Sequence, residues 1–246
     1  TEYVAKSDPN GYTLILVDTA FTTLPTIRKL PYDPLKSFAP IASVSNSDSS
    51  LCVHPKVPAN SVKELIALAK QKPGKLIVGT GGMGGGGHFG IELFQMMADI
   101  DLKLVHFKGG GPAIIDLLGG HSDALLGSLA ASLPHIKSGK LRILGTSKSE
   151  RSRYLPNVPT IAESGLPGFQ FNSYRGVLAP AGTPALIIDR LSKELKTALD
   201  TEEVKKAFMN TGAEVTYHGP TEYGLILQKE IADWTIVAKK ANIKME

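Results

Sequence analysis

The sequence predicts an α/β protein with a largely parallel sheet. Strand-like and helix-like segments alternate from Ser61 to Thr146, the order that builds parallel strands joined by helical crossovers. Two successive strands in that stretch each run into a glycine-rich turn that leads straight into a helix. The composition, 42% apolar and 20% charged over 246 residues, is that of a folded globular chain, sized for one large domain or two lobes.

Asp8-Pro9-Asn10-Gly11 is a turn, after which Tyr12–Val17 reads as a strand and Asp18–Thr23 as the loop at its end. Pro31–Pro34 and Phe38-Ala39-Pro40 read as rigid connectors, and Ile41–Val44 with Ser50–His54 as a strand interrupted by a polar patch. Ser61-Val62-Lys63-Glu64 is a capping box. Val62, Leu65, Ile66 and Ala69 then follow at helical spacing until Pro73-Gly74. Lys75–Val78 is a short strand before the glycine loop, and His88–Ala98 a helix with Phe89, Leu93 and Met97 on one face. Leu102–Phe107 is the next strand, followed by a helix with Pro112 in its first turn that stops at Gly119-Gly120. Asp123–Leu126 and Leu141–Thr146 are strands around a mostly helical Ser128–Ser138.

Arg151–Gly168 is rich in proline and turn residues, with a short helix expected at Thr160–Glu163. Tyr174–Ala179 reads as a strand, and Pro180–Pro184 as a stiff turn in which Thr183 caps a helix buried through Ile187, Ile188, Leu191 and Leu195. Thr201 caps a second helix ending near Gly212, and a last helix, Thr221–Ala241, turns Leu225, Trp234 and Val237 inward.

Several function classes fall away. The net charge of +4 is spread over scattered lysines and arginines, with no basic-aromatic alternation to suit a nucleic acid. No apolar run reaches the roughly 18 residues that a membrane helix needs. The single cysteine, Cys52, sits in an apolar strand and reads as a buried strand residue. The histidines show no metal-ligand spacing, and neither a G-x-S-x-G elbow nor an H-E-x-x-H helix is present. Binding is therefore better supported than chemistry, and neither a metal nor a cofactor is nominated. The chain starts at Thr1 without Met or a signal peptide and reads as a mature product or a fragment.

The most informative stretch is VGTGGMGGGGHFGIELF, Val78–Phe94. Gly79-Thr80-Gly81-Gly82-Met83-Gly84 matches G-x-G-x-x-G between a strand and a helix. The next strand, however, ends in Phe107-Lys108 and not in the acidic residue that a ribose would require. Lys108 could meet a 2′-phosphate, which leaves an NADP-dependent reductase as the alternative reading. The physics is more general. Glycines let consecutive backbone N–H groups converge on a ligand, and a helix start favours an anion, carboxylate or phosphate alike. Gly109-Gly110-Gly111 repeats the device after the next strand. His88 is read as capping or packing the helix start.

These stretches also carry a family likeness. Pro9–Leu14, Leu30-Pro31-Tyr32-Asp33-Pro34, Phe38–Ile41, the glycine loop with His88 and Glu92-Leu93-Phe94, and Phe107-Lys108-Gly109 with Pro112-Ala113 occur in order. Gly139–Arg142, Val158-Pro159-Thr160 with Ala162-Glu163 and Gly165, and Gly176–Pro184 follow. Together they resemble the receptors of tripartite tricarboxylate transporters, the Bug (TctC-like) family of periplasmic solute-binding proteins, over essentially the whole chain. The resemblance implies a two-lobed periplasmic-binding-protein fold, type II-like, with mostly parallel sheets and a chain that crosses between lobes twice. The crossings are expected near Leu51–Pro55 and Phe169–Ser173, giving lobe I as 1–52 with 172–246 and lobe II as 53–171. Family members carry a further strand, glycine-proline loop and helix before the Asn10–Leu14 element, so the first strand and helix of lobe I are expected to be missing.

The same resemblance implies a non-catalytic, monomeric receptor that traps a small organic carboxylate or dicarboxylate for the permease subunits of a membrane transporter, with no nucleic acid involved. Loop amides and hydroxyls hold such ligands in the family. The expected contacts here are Thr19 and Thr22 from lobe I and Thr80, Gly84, Gly85, Gly86, Gly87, Gly109 and Gly110 from lobe II. Ser128 and Arg175 are added to them, Ser128 beside Gly127 where an acidic residue is common and Arg175 where an aromatic pair is common.

Overall fold

The structure is a computed structural model that describes residues 1–210 and 213–244. The chain divides into two compact units, Thr1–Asn46 with Ser173–Glu246, and Ser47–Asn172. It therefore passes from one to the other and back once.

The second unit is a five-stranded sheet with helices. Its strands are β3 (Ser49–Val53), β4 (Ile77–Thr80), β5 (Lys103–His106), β6 (Ala124–Ser128) and β7 (Arg142–Thr146), in the order β5-β4-β6-β3-β7. β4 is parallel to both β5 and β6, whereas β3 is antiparallel to both β6 and β7. Four strands thus point one way, and β3, along which the chain enters, opposes them. The helices are α3 (Val62–Gln71), α4 (Gly86–Ala98), α5 (Gly110–Leu118) and α6 (Leu129–Lys137). α3 starts as the capping box dictates, with the Ser61 hydroxyl accepting the Glu64 N–H at 3.2 Å. Cys52, Leu125, Ala113, Ile114 and Leu117 form a core between the sheet and α5. Burial pushes the Cys52 thiol up to about 11, which fits an inert strand residue. Ser147 ties the two crossing segments on this side, its hydroxyl accepting from the Ser49 N–H at 3.2 Å and donating to the Phe171 carbonyl at 2.9 Å.

The first unit holds a four-stranded sheet in the order β1-β8-β2-β9. The strands are β1 (Ile15–Val17), β2 (Phe38–Ser47), β8 (Ser173–Pro180) and β9 (Ala213–His218), with α1 (Glu2–Ala5), α2 (Ala20–Thr23), α7 (Ala185–Leu199), α8 (Glu202–Asn210) and α9 (Pro220–Lys240). β1 runs antiparallel to β8. Val17, Phe21, Phe38, Leu178, Tyr223 and Leu227 pack together here. The Asn46 side-chain carbonyl accepts the Ser173 N–H at 3.1 Å, holding the ends of β2 and β8 side by side.

Several sequence expectations shift. Phe38-Ala39-Pro40 opens β2 instead of connecting to it. Thr160–Glu163 forms reciprocal bonds, Glu163 N–H to the Thr160 hydroxyl at 3.1 Å and Thr160 N–H to the Glu163 carboxylate at 2.8 Å, without propagating a helix. Pro184, and not Thr183, precedes α7, and the Thr183 hydroxyl donates to the Pro180 carbonyl. Leu225 is 61% exposed, because the inner stripe of α9 runs Tyr223, Leu227, Trp234, Val237 and Leu225 lies about 200° from its start. On α4 the inner stripe is Ile91, Phe94 and Ala98, so Met97 is 36% exposed. The expected helix end at Gly212 lies outside the described residues.

Tyr223 is fully buried because Gly176 on β8 leaves its ring room: a Cβ at Gly176 would overlap that ring. Gly176→Ala is expected to destabilise the protein by about 2–3 kcal/mol in urea unfolding. The cost should be smaller in a Tyr223→Leu background; an equal cost in both would show that the clash is not the cause.

Candidate functional site

β4 and β5 run parallel in register, Val78 opposite Leu104 and Thr80 opposite His106, so they end side by side. The pairing continues into the turns. The Thr80 carbonyl accepts the Phe107 N–H at 2.9 Å, and the Gly81 carbonyl accepts the Gly109 N–H at 3.0 Å. The two glycine turns thus lie peptide against peptide. A Cβ on Gly81 would stand 3.1 Å from the Gly110 nitrogen, closer than ordinary packing permits. Gly109, at φ 114°, adopts a backbone that side-chain-bearing residues avoid.

Each turn feeds a helix: Gly85 precedes α4 and Gly109 precedes α5, neither with a side-chain cap. The first helical amides, of Gly86 and Gly87 in α4 and of Gly110 and Gly111 in α5, meet no acceptor among the described residues. The space around Gly110 and Gly111 is open. These are the donors that a helix start leaves unsatisfied, and they carry the positive end of each helix dipole.

Side chains brace the loop from beneath. His88 is 3% exposed. Its Nδ1 accepts the Gly84 N–H at 3.0 Å, and its Nε2 lies 3.4 Å from a Glu92 carboxylate oxygen one turn on. The His106 ring stands edge-on to it, centroids 4.5 Å apart. The His106 Nδ1 is 2.7 Å from the hydroxyl of the fully buried Thr80, which also takes the Gly82 N–H at 3.4 Å. Although His106 is partly open to solvent, the ring loses water against its neighbours. That desolvation, with the proximity of His88, lowers its pKa, and Glu92 opposes the shift.

The second unit therefore brings Thr80, Gly84, Gly85, Gly86, Gly87, Gly109 and Gly110 to one edge of the sheet. Ser128 ends β6, the other neighbour of β4, on the same edge, exposed and without a cap bond to α6. Lys108, exposed, lies between β5 and α5.

Thr19, Thr22 and Arg175 belong to the first unit. Thr19 is 4% exposed, and its hydroxyl has no partner among the described residues. The Thr22 hydroxyl lies 3.0 Å from both the Thr19 carbonyl and a Glu230 carboxyl oxygen. One hydroxyl proton serves one acceptor, so a protonated Glu230 completes the pair. Burial does push the Glu230 carboxyl up, to about 7, against the lowering effect of Thr22. Arg175 lines a pocket of about 280 Å3 with Asp18, Phe21 and Tyr32. Neither Glu230 nor His106 is marked by a local pattern in the sequence. The partner of Glu230 is 208 positions away, and that of His106 is fixed by strand register; only the His88–Glu92 spacing was visible locally.

A sequence description of the tripartite tricarboxylate transporter family receptors matches residues 1–243. The chain belongs to this family. It is 34% identical over 249 residues to BugT of Bordetella pertussis, an alignment covering all of this chain and 76% of BugT. Among solved structures of the family type, it superposes on R. palustris Rpa4515 with adipate at 33% identity and a TM-score of 0.87, covering 98% of this chain and 82% of that one. It superposes on MatC of Rhodopseudomonas palustris with bound malate at 30% identity and 0.83, covering 96% and 82%. The two-lobed binding-protein fold implied by the family motifs is thus the fold found.

Glu230 yields a signed pH prediction. A carboxyl whose pKa is raised in the folded state binds its proton more tightly there. Its stabilising contribution is whole below about pH 4.5 and is lost as pH climbs through about 7. Glu230→Gln should gain on the wild type between pH 5 and pH 8 by up to about 3 kcal/mol, read by urea unfolding at the two pH values; a constant difference would contradict it.

Proposed function

We propose that the protein is a non-catalytic, extracytoplasmic solute-binding receptor that captures a small organic acid in the periplasm and passes it, as a monomer, to the permease subunits of a tripartite transporter. The observation that carries this reading is the set of helical amides at Gly86, Gly87, Gly110 and Gly111 that meet no acceptor among the described residues, with open space around Gly110 and Gly111. Backbone donors at two helix starts suit a carboxylate without any lysine, and the Thr80 hydroxyl that lies 2.7 Å from the His106 ring is fully buried and so closed to a substrate. Three or four charge-assisted bonds at about 1.5–3 kcal/mol each match micromolar affinity, about −8 kcal/mol.

Relatives solved with adipate and with malate support a dicarboxylate. Thr80, Gly84, Gly85, Gly86, Gly87, Gly109, Gly110 and Ser128 are the proposed contacts of the second unit, and Thr19, Thr22 and Arg175 those of the first. The two compact units are taken as the lobes.

Thermal-shift and calorimetric titrations with adipate, malate and NADP test the reading. Stabilisation by a dicarboxylate and none by NADP is expected; stabilisation by NADP alone would replace the receptor by a reductase. A Cβ at Gly110 has no neighbour within 4 Å, so Gly110→Ala should keep or slightly raise the melting temperature. The methyl group should nevertheless weaken acid binding about tenfold, ~1.4 kcal/mol, by intruding on the cradle. Unchanged affinity would remove Gly110 from the site.

A further inference from the structure

We infer that His88 is a positioning residue for acid binding: its neutral imidazole holds the glycine loop in the shape that presents the helical amides, so binding weakens as His88 takes a proton. This rests on the receptor reading and adds regulation to the same site. Both ring nitrogens are committed. Nδ1 accepts the Gly84 N–H at 3.0 Å and so carries no proton, while Nε2 faces the Glu92 carboxylate at 3.4 Å and so does. One tautomer is thereby selected from two sides. A ring that only filled space would need neither bond.

Gly84 has φ 80° and stands two residues before the first free amide of α4. Its N–H is turned inward onto a ring that is 3% exposed. A proton on Nδ1 would set two donors against each other at this point and release the loop. The groups facing the ring are Glu92, on the same helix, 3.4 Å from Nε2, and His106, on β5, whose ring centroid stands 4.5 Å away. β4 and β6 bring no titratable residue. The same contact links His88 to the second brace, His106 to Thr80 to the Gly82 N–H.

The test uses the full chain in two arms. In ligand-free protein, long-range 1H–15N spectra of the imidazoles are recorded from pH 8 downward together with amide exchange at Gly84. The expected result is a neutral His88 with Nε2 protonated, and loss of Gly84 protection in step with its titration. In the second arm, malate and adipate are titrated calorimetrically over the same range. Wild-type affinity should fall at least tenfold across the His88 transition. His88→Asn, whose Oδ1 can accept the same N–H but does not titrate, should bind within threefold of wild type at pH 8 and lose that fall, which also controls for protonation of the ligand. His88→Leu should bind at least tenfold more weakly at pH 8.

A proton on Nδ1 at pH 8, Gly84 exchange indifferent to His88→Leu, or the same pH response in His88→Asn as in wild type would each overturn the proposal. Failure of both acids to bind the wild type would instead sink the receptor reading, and the ligand-free arm would still decide whether His88 shapes the loop. If His88→Leu does not fold, His88→Asn decides alone.

Discussion

The second unit is organised around one close approach, the passage of the Gly81 turn against the Gly109–Gly110 turn. With a 3.0 Å bond from Gly109 N–H to the Gly81 carbonyl, and a methyl group on Gly81 crowded to 3.1 Å from the Gly110 nitrogen, peptide planes touch where side chains would normally intervene. The approach follows from the register of β4 and β5, which brings the two strand ends level. Bare turns cannot supply capping side chains, so α4 and α5 both begin with open donors. Donors left open near solvent in this way suit an anion.

The backbone part of the candidate site was legible in the sequence, because only glycine permits it and glycines can be counted along a chain. The bracing beneath it was less so. His106 reaches Thr80 through parallel pairing, and Glu230 reaches Thr22 across most of the chain; no local pattern encodes either meeting. The fold shows the same division. In the second unit, alternating strands and helices, with the capping box of α3, gave the right elements in the right order. In the first, β9 (Ala213–His218) is short and mostly half-buried, with no clean alternation to announce it. Leu225 was misplaced because apolarity alone does not fix a helix phase; Tyr223 and Trp234 set it, and Leu225 falls outside their arc.

The first unit is built on a different economy. A tyrosine is seated over a glycine, a threonine hydroxyl is buried without a partner among the described residues, and a carboxyl is pushed toward neutrality by the loss of water. Each is a modest cost in an otherwise apolar packing of Val17, Phe21, Phe38 and Leu227. Thr19 immediately precedes the short α2 that follows β1, and Thr22 lies within it, so these costs are concentrated beside the segment whose hydroxyls are candidates for the ligand. Polar groups held dry and incompletely satisfied are primed to respond to a new partner.

The burial of Cys52 has a practical side. Its sulfur is wholly enclosed and holds its proton to about pH 11, so the one native thiol is silent toward maleimides and spin labels under ordinary conditions. A cysteine introduced at an exposed position of either unit would react alone. Fluorescence-transfer or electron-spin distance measurements between the two units therefore start from the native background, with nothing to be removed first.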